Sequence, residues 1–342
     1  MVRVRTALAL PVLAALLLGA MVIATGFGAE TLPVSAVVEV LKHRLFGTPT
    51  DLALDTIVWQ LRVPRTVLAA VVGAGLALAG AAMQALVRNP LADPYLLGVS
   101  SGAGVGAAAV ITSGLFAGAG IWALTGGALA GAFAAAALVF GIAVAQGGLT
   151  PMRLVLTGTV LGSAFAAFSS YLIFRSSDPA AAQSVLFWLL GSLAGADWTT
   201  IGLPLAVVVL SGLGLVAASG WLDALTFGAD TATALGVPVK ELRIALFVLL
   251  AVLVGVLVAV SGGIGFVGLV IPHAARLIVG PRHRALLPAA ALCGALFLVV
   301  ADTATRALGR PTEIPVGVLT GLIGAPTFLL LLGRRRYTFG QS

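Results

Sequence analysis

PYLLGVSSGAGVGAAAVITSGLFAGAGIWALTGGALAGAFAAAALVFGIAVAQGGLTPM, residues 94–152, runs for 59 residues without one aspartate, glutamate, lysine, arginine or histidine. No water-soluble fold of ordinary composition tolerates such a run. A transmembrane helix needs about 20 mainly apolar residues to cross a hydrocarbon core of roughly 30 Å, so the stretch holds two crossings and a Gly-rich turn near 114–120.

Working outward, the whole chain reads as an all-α integral membrane protein, a single transmembrane domain over residues 1–342. Its 60% hydrophobic and 9% charged residues, with 43 glycines, fit closely packed membrane helices. A charge at the centre of a span costs about 2.5–3.5 kcal/mol on insertion scales, so the charges gather where apolar runs break. The first run, 6–27, follows Arg3 and Arg5 and has the outline of a secretory signal. Its apolar length of about 20 residues exceeds the usual 7–15 of a signal, and it is read as an uncleaved first span. Further spans are expected near 66–86, 95–113, 120–145, 153–174, 199–219, 243–261, 266–280, 286–304 and 315–333. The division between 243–261 and 266–280 rests on the helix-breaking cluster Ser261, Gly262 and Gly263; one bent span there would lower the count to nine.

Ten spans put both termini on one side. With the termini cytoplasmic, twelve of the 19 lysines and arginines face inward against seven outward, among them Arg88, Arg153, Lys240, Arg243, Arg276 and Arg334, Arg335 and Arg336 at the end of the chain. The net charge of +7 is mostly this orientation signal, and nothing else supports a nucleic-acid partner.

Several classes of chemistry are excluded. The single cysteine, Cys293, can make no intrachain disulfide. His43, His273 and His283 have no partners at metal-ligand spacing, so no metal and no cofactor are assigned. A P-loop needs Gly-Lys before Ser or Thr, but Lys42 and Lys240 follow Leu41 and Val239, so the chain does not hydrolyse ATP by that route. An ion-driven carrier places carboxylates in mid-span, whereas Asp223, Asp302 and Glu313 fall at span ends; Asp302 is spaced for a helix pair with Arg306. A secondary transporter working alone is therefore the lesser reading, and a neighbouring gene for a Walker-type ATPase would exclude it.

Two segments carry identity: LRVPRTVLAAVVGAGLALAGAAMQALVRNPLADPYLLGVSSGAGVG, from Leu61 to Gly106, and SGGIGFVGLVIPHAAR, from Ser261 to Arg276. With ADTATR, EIPVGVLTGLIGAPTF and TALGVPVKELR, they resemble the permease subunits of bacterial importers for iron-siderophores, haem and vitamin B12 over nearly the whole chain. The resemblance implies an ATP-binding cassette importer of the cytoplasmic membrane with ten helices per permease. It also implies a second copy of the permease, two cytoplasmic ATP-binding subunits and an extracytoplasmic substrate-binding protein. An iron-siderophore is the expected cargo, with haem or a cobalamin-type corrinoid as alternatives.

The resemblance further assigns roles. Arg62, Arg65 and Arg306, at the outer face, are expected to receive carboxylates of the binding protein, which suits the two-pronged guanidinium. Interface snorkelling and the Asp302 pair are the plainer accounts of these arginines. On the inner face, 221–243 is expected as a coupling loop with a short helix stopped at Gly236 and Pro238, and Asp230, Thr233, Ala234, Leu235, Gly236 and Val237 are its candidate ATPase contacts. Gly158, Gly162, Ala166 and Ser170 recur at intervals of four, and with Thr157 are candidates to line the pathway. Packing within the subunit explains that stripe equally well.

Overall fold

The computed structural model describes residues 2–28, 30–47, 50–115, 117–120, 122–309 and 312–334. Arg335 and Arg336, counted above toward orientation, lie outside the described residues. Helices account for the regular structure, and no strand forms among the described residues. This is the expected outcome where lipid offers backbone groups no partner.

The first crossing is α1 (Val2–Gly26). Beyond it the chain makes a helical cap that the sequence reading did not foresee: α2 (Val34–Phe46), α3 (Leu52–Asp55) and a π-helical turn, Thr56–Arg62, that runs straight into α4 (Val63–Val87). A 3₁₀ turn at Pro94–Leu97 leads to α5 (Val99–Ser113), then α6 (Trp122–Ala145) and α7 (Pro151–Arg175). A short α8 (Pro179–Leu189) precedes α9 (Trp198–Ala217), and α10 (Ser219–Thr226) and α11 (Ala229–Ala234) follow. The chain closes with α12 (Val239–Ser261), α13 (Val267–Val279), α14 (His283–Leu308) and α15 (Val316–Arg334). Each expected span corresponds to a helix. Among the described residues, seven stretches are long and apolar enough to cross a membrane by themselves, while α5, α8, α13 and the described part of α15 are shorter apolar helices.

The divided run at Ser261 is two helices. α12 ends at Ser261, Gly262 turns the chain with φ 66°, and α13 begins after Phe266, a non-glycine residue held at φ 67°. α13 has 13 residues, about 20 Å of helix, too short for a full crossing. Irregular backbone at membrane depth is tolerated only where protein satisfies it. Here the Tyr95 hydroxyl donates to the carbonyl of Ile264 at 3.0 Å and accepts from its N–H at 3.1 Å, and Ser192 N–H donates to the Ser261 carbonyl at 2.8 Å.

α4 is the axis of the bundle. Its most apolar window is 83% buried, against 11% for α1 and 17% for α7, so α4 is core while α1 and α7 are peripheral. α4 can be so enclosed because its neighbours touch it backbone to backbone. A methyl group on Gly80 would stand 1.9 Å from the carbonyl oxygen of Gly268 on α13, and one on Gly73 would stand 2.2 Å from that of Gly294 on α14. Where lipid tails are as apolar as leucine, such close approach replaces the hydrophobic effect as the source of helix association. One continuous buried cluster runs from Ala24 to Val316.

Candidate functional site

Two ends of the bundle carry chemistry. At one end, α4 starts where α1 and α14 finish. Arg62, in the last position of the π turn, donates from Nη1 to the carbonyl of Gly26 at 2.8 Å and from Nη2 to that of Glu30 at 2.8 Å, pinning the chain as it leaves α1. Arg65, three residues on, reaches across to Asp302 of α14, with Nη2 2.9 Å from Oδ1. Its Nη1 donates to Glu313 Oε1 at 2.8 Å. Arg306 approaches the other Asp302 oxygen, Nε to Oδ2 3.0 Å, and donates to the carbonyl of Ala24 at 3.1 Å.

The expected helix pair between Asp302 and Arg306 is therefore present, but it is half of a larger arrangement. The Asp302 side chain is wholly buried and shared by two arginines that are themselves only 8% exposed. A buried carboxylate is tolerable only when it is paired and hydrogen-bonded, and two guanidinium groups achieve that. Arg62, Arg65 and Arg306 together border a cavity of 620 Å³ with Glu30 and Glu313. The sequence reading brought these three arginines to one face; it gave no role to Glu313 and did not foresee the pairing of Arg65 with Asp302.

The cap beside this cavity is pinned in the same way. Arg44 of α2 donates from Nε to Asp55 Oδ1 at 2.8 Å and stands 5.4 Å from the centre of the Trp59 ring. Trp59 in turn packs at a tilt of 36° against Trp198, 5.0 Å between ring centres, and its carbonyl accepts from the Trp198 indole N–H at 2.8 Å. Arg44 meets Asp55 only 11 residues on, across successive helices, whereas Trp59 and Trp198 are 139 residues apart and no local pattern announces their contact.

At the opposite end, α10 and α11 form the expected short helical element. α11 stops as Gly236 takes φ 81°, and Pro238 precedes α12. Asp230, Thr233, Ala234, Leu235 and Gly236 are exposed, with Leu235 67% and neighbouring Phe227 73% exposed. Val237, expected with them, is instead buried beside Ala232 in the main core, so it anchors the element rather than presenting a surface. A second anchor comes from Asp223 of α10. Its Oδ1 accepts from the His283 N–H at 2.9 Å and lies 2.6 Å from His283 Nδ1, capping α14, whose own N-cap residue Arg282 supplies no side-chain cap. Arg276 Nη1 donates to Gln84 Oε1 at 2.6 Å, and Gln84 Nε2 donates to the carbonyl of Leu269 at 3.2 Å, tying α4 to α13 near the same end.

The small-residue stripe of α7 divides. Thr157 and Gly158 are buried, and a methyl group on Gly158 would lie 1.9 Å from the Leu96 carbonyl oxygen, so this part packs within the subunit. Gly162 is half-buried near Ser101, while Ala166 and Ser170 are exposed. The exposed face also carries Thr159 and Ser163, whose hydroxyls donate to carbonyls one turn back at 2.8 and 3.1 Å. That hydroxyl spacing was legible in the sequence and passed unread.

A bundle of apolar helices around a buried α4, with a break between α12 and α13 and charged clusters at its two ends, is the architecture of a membrane permease. A model described as the FecCD transport family matches residues 16–334, and the chain belongs to that family. It is a multi-pass permease of an ATP-binding cassette importer. The Fe(3+)-citrate import system permease protein YfmE of Bacillus subtilis is 39% identical over 330 residues, 96% of this chain and 95% of that protein. The cobalamin import system permease protein BtuC of Halobacterium salinarum is 43% identical over 290 residues, 85% of this chain and 76% of that protein. Among solved structures, a metal-chelate type ABC transporter in an inward-facing conformation superposes with a TM-score of 0.84 at 34% identity, covering 95% of this chain and 99% of that one. The family excludes a lone ion-coupled carrier.

Proposed function

We propose that this chain imports a ferric chelate of the siderophore type as one half of a permease dimer. ATP hydrolysis falls to two separate cytoplasmic subunits, and cargo is delivered by an extracytoplasmic binding protein. The supporting observation is the separation of the two charged ends: a cavity of clustered arginines at one, and at the other a short helix presenting Leu235 beside exposed Phe227. The arginine end is outermost, so both termini are cytoplasmic, in accord with the inward excess of lysine and arginine. Arg62, Arg65 and Arg306 meet carboxylates of the binding protein. Asp230, Thr233, Ala234, Leu235 and Gly236 meet the ATPase, with Val237 as the buried support.

The pathway runs along the exposed face of α7, past Gly162, Ala166 and Ser170, with Thr159 and Ser163 beside them. Small and hydroxylated side chains suit a wet passage better than a lipid-facing surface, where bulky apolar residues predominate. ATP drives alternating access because it binds the two states with different affinity.

The cargo assignment follows the relatives, one named for ferric citrate, and the metal-chelate neighbour. It is tested by titrating the cognate binding protein with a ferric siderophore, haem and cobalamin while following tryptophan fluorescence. Saturation by the ferric siderophore alone is expected; saturation by cobalamin or haem instead would replace the cargo and leave the transport mechanism standing.

A further inference from the structure

In the outer cavity, Arg65 holds two carboxylates of very different standing. Asp302 is wholly buried, whereas the Glu313 side chain is 44% exposed and is met by Nη1 at 2.8 Å from the solvent side. Arg65, Arg306 and Asp302 by themselves carry a net charge of +1, and Glu313 neutralises it. The half-exposed Glu313 carboxylate is open to screening by solvent, which keeps the pair weak enough to be exchanged at little cost. Removing it with no replacement, however, would take from Nη1 of the mostly buried Arg65 the carboxylate acceptor it has here.

We propose that Glu313 is a placeholder carboxylate. It occupies Arg65 in the resting permease and is displaced by a carboxylate of the docking protein, so the guanidinium trades one carboxylate for another and is never left unpaired. The inference rests on the docking reading above. The exchange also frees the segment that leads into α15. A methyl group on Gly317 at the start of that helix would lie 2.0 Å from the Leu190 carbonyl oxygen and 2.8 Å from that of Gly263, so the segment adjoins the turn after α8 and the break between α12 and α13.

The test measures binding-protein association with the complete transporter, reconstituted with its ATPases, for the unaltered protein and for Glu313→Gln, Glu313→Asp, Glu30→Gln and Arg62→Glu. Glu313→Gln removes the competitor. Glu313→Asp keeps its charge but shortens its reach. Glu30→Gln makes the same charge change in the same cavity. Exchange predicts that both Glu313 variants tighten binding about fivefold, chiefly through slower dissociation, while Glu30→Gln changes it less than about twofold. Equal tightening by Glu313→Gln and Glu30→Gln with none in Glu313→Asp means a general charge effect and overturns the placeholder. Weaker binding by both Glu313 variants overturns it as well. If Arg62→Glu also leaves association unchanged, the docking reading itself fails; if Arg62→Glu slows association while the Glu313 variants do not tighten it, only the exchange fails.

Discussion

Arg65 and Asp302 lie 237 positions apart in the chain and meet with Nε 3.0 Å from Oδ1, closing α4 onto α14 at the arginine-rich end of the bundle. Arg306 takes the second carboxylate oxygen. Removing Asp302 as Asp302→Ala takes the shared carboxylate from two buried arginines, leaving Arg65 with Glu313 and Arg306 with backbone carbonyls, and breaking a buried pair in this way costs about 3–5 kcal/mol. The measurement is thermal unfolding of the detergent-purified transporter, where a large fall in midpoint is expected. A midpoint within error of the unaltered protein would show that the cluster carries no structural weight.

Backbone contact between α4 and α13 sets a second expectation. Gly80→Leu drives a side chain into the Gly268 carbonyl and should forfeit the folded, monodisperse protein, since overpacking a tight contact costs about 1–3 kcal/mol or more. Gly126→Leu on α6, where no atom lies within 4 Å of the added carbon, should be tolerated. Size-exclusion profiles of the two variants decide it, and similar behaviour would refute the packing assignment.

Asp223→Ala removes the cap that α10 lends to α14 and is expected to cost about 0.5–2 kcal/mol locally. Faster amide exchange in residues 219–236, with the arginine-rich end unchanged, is the expected signature. Uniform exchange along the chain would mean that Asp223 does not tether the element.

For the coupling surface, replacing Ala234 and Leu235 with aspartates forces charge into an apolar contact and should abolish copurification with the ATPase and uptake while leaving membrane insertion intact. Normal uptake by that double variant would remove α11 from the coupling role. Val237→Ala should act differently, lowering thermal stability because Val237 is buried.

Arg62→Glu is the cleanest probe of docking, because Arg62 holds backbone carbonyls rather than the buried carboxylate. Opposed charges at a rim mainly steer encounter, so association of the binding protein should slow and lose part of its salt dependence. Stopped-flow association at low and high ionic strength provides the check, with identical rates counting against the assignment. Reversing Arg306 would be less informative, since it would also break the Asp302 cluster.

The sequence by itself determined the membrane class, the ten helical segments and the short helix at 229–234. All three follow from local rules: apolar length against bilayer thickness, and Gly or Pro where a helix must stop. The same locality made the break after Ser261 legible, because Ser261, Gly262 and Gly263 sit together. It also let the family motifs place Arg62, Arg65 and Arg306 on one face. Tertiary structure alone decided who meets whom. Asp302 looked like half of a one-turn pair because Arg306 is four residues away, yet Arg65 and Glu313 complete it only through the packing of α4, α14 and the segment before α15. Gly158 shares a helical stripe with Ala166 and Ser170, but the 3₁₀ turn at Leu96 covers Gly158 and leaves the other two exposed. A periodicity states which side chains share a face; what lies against that face depends on chain segments that no local pattern encodes.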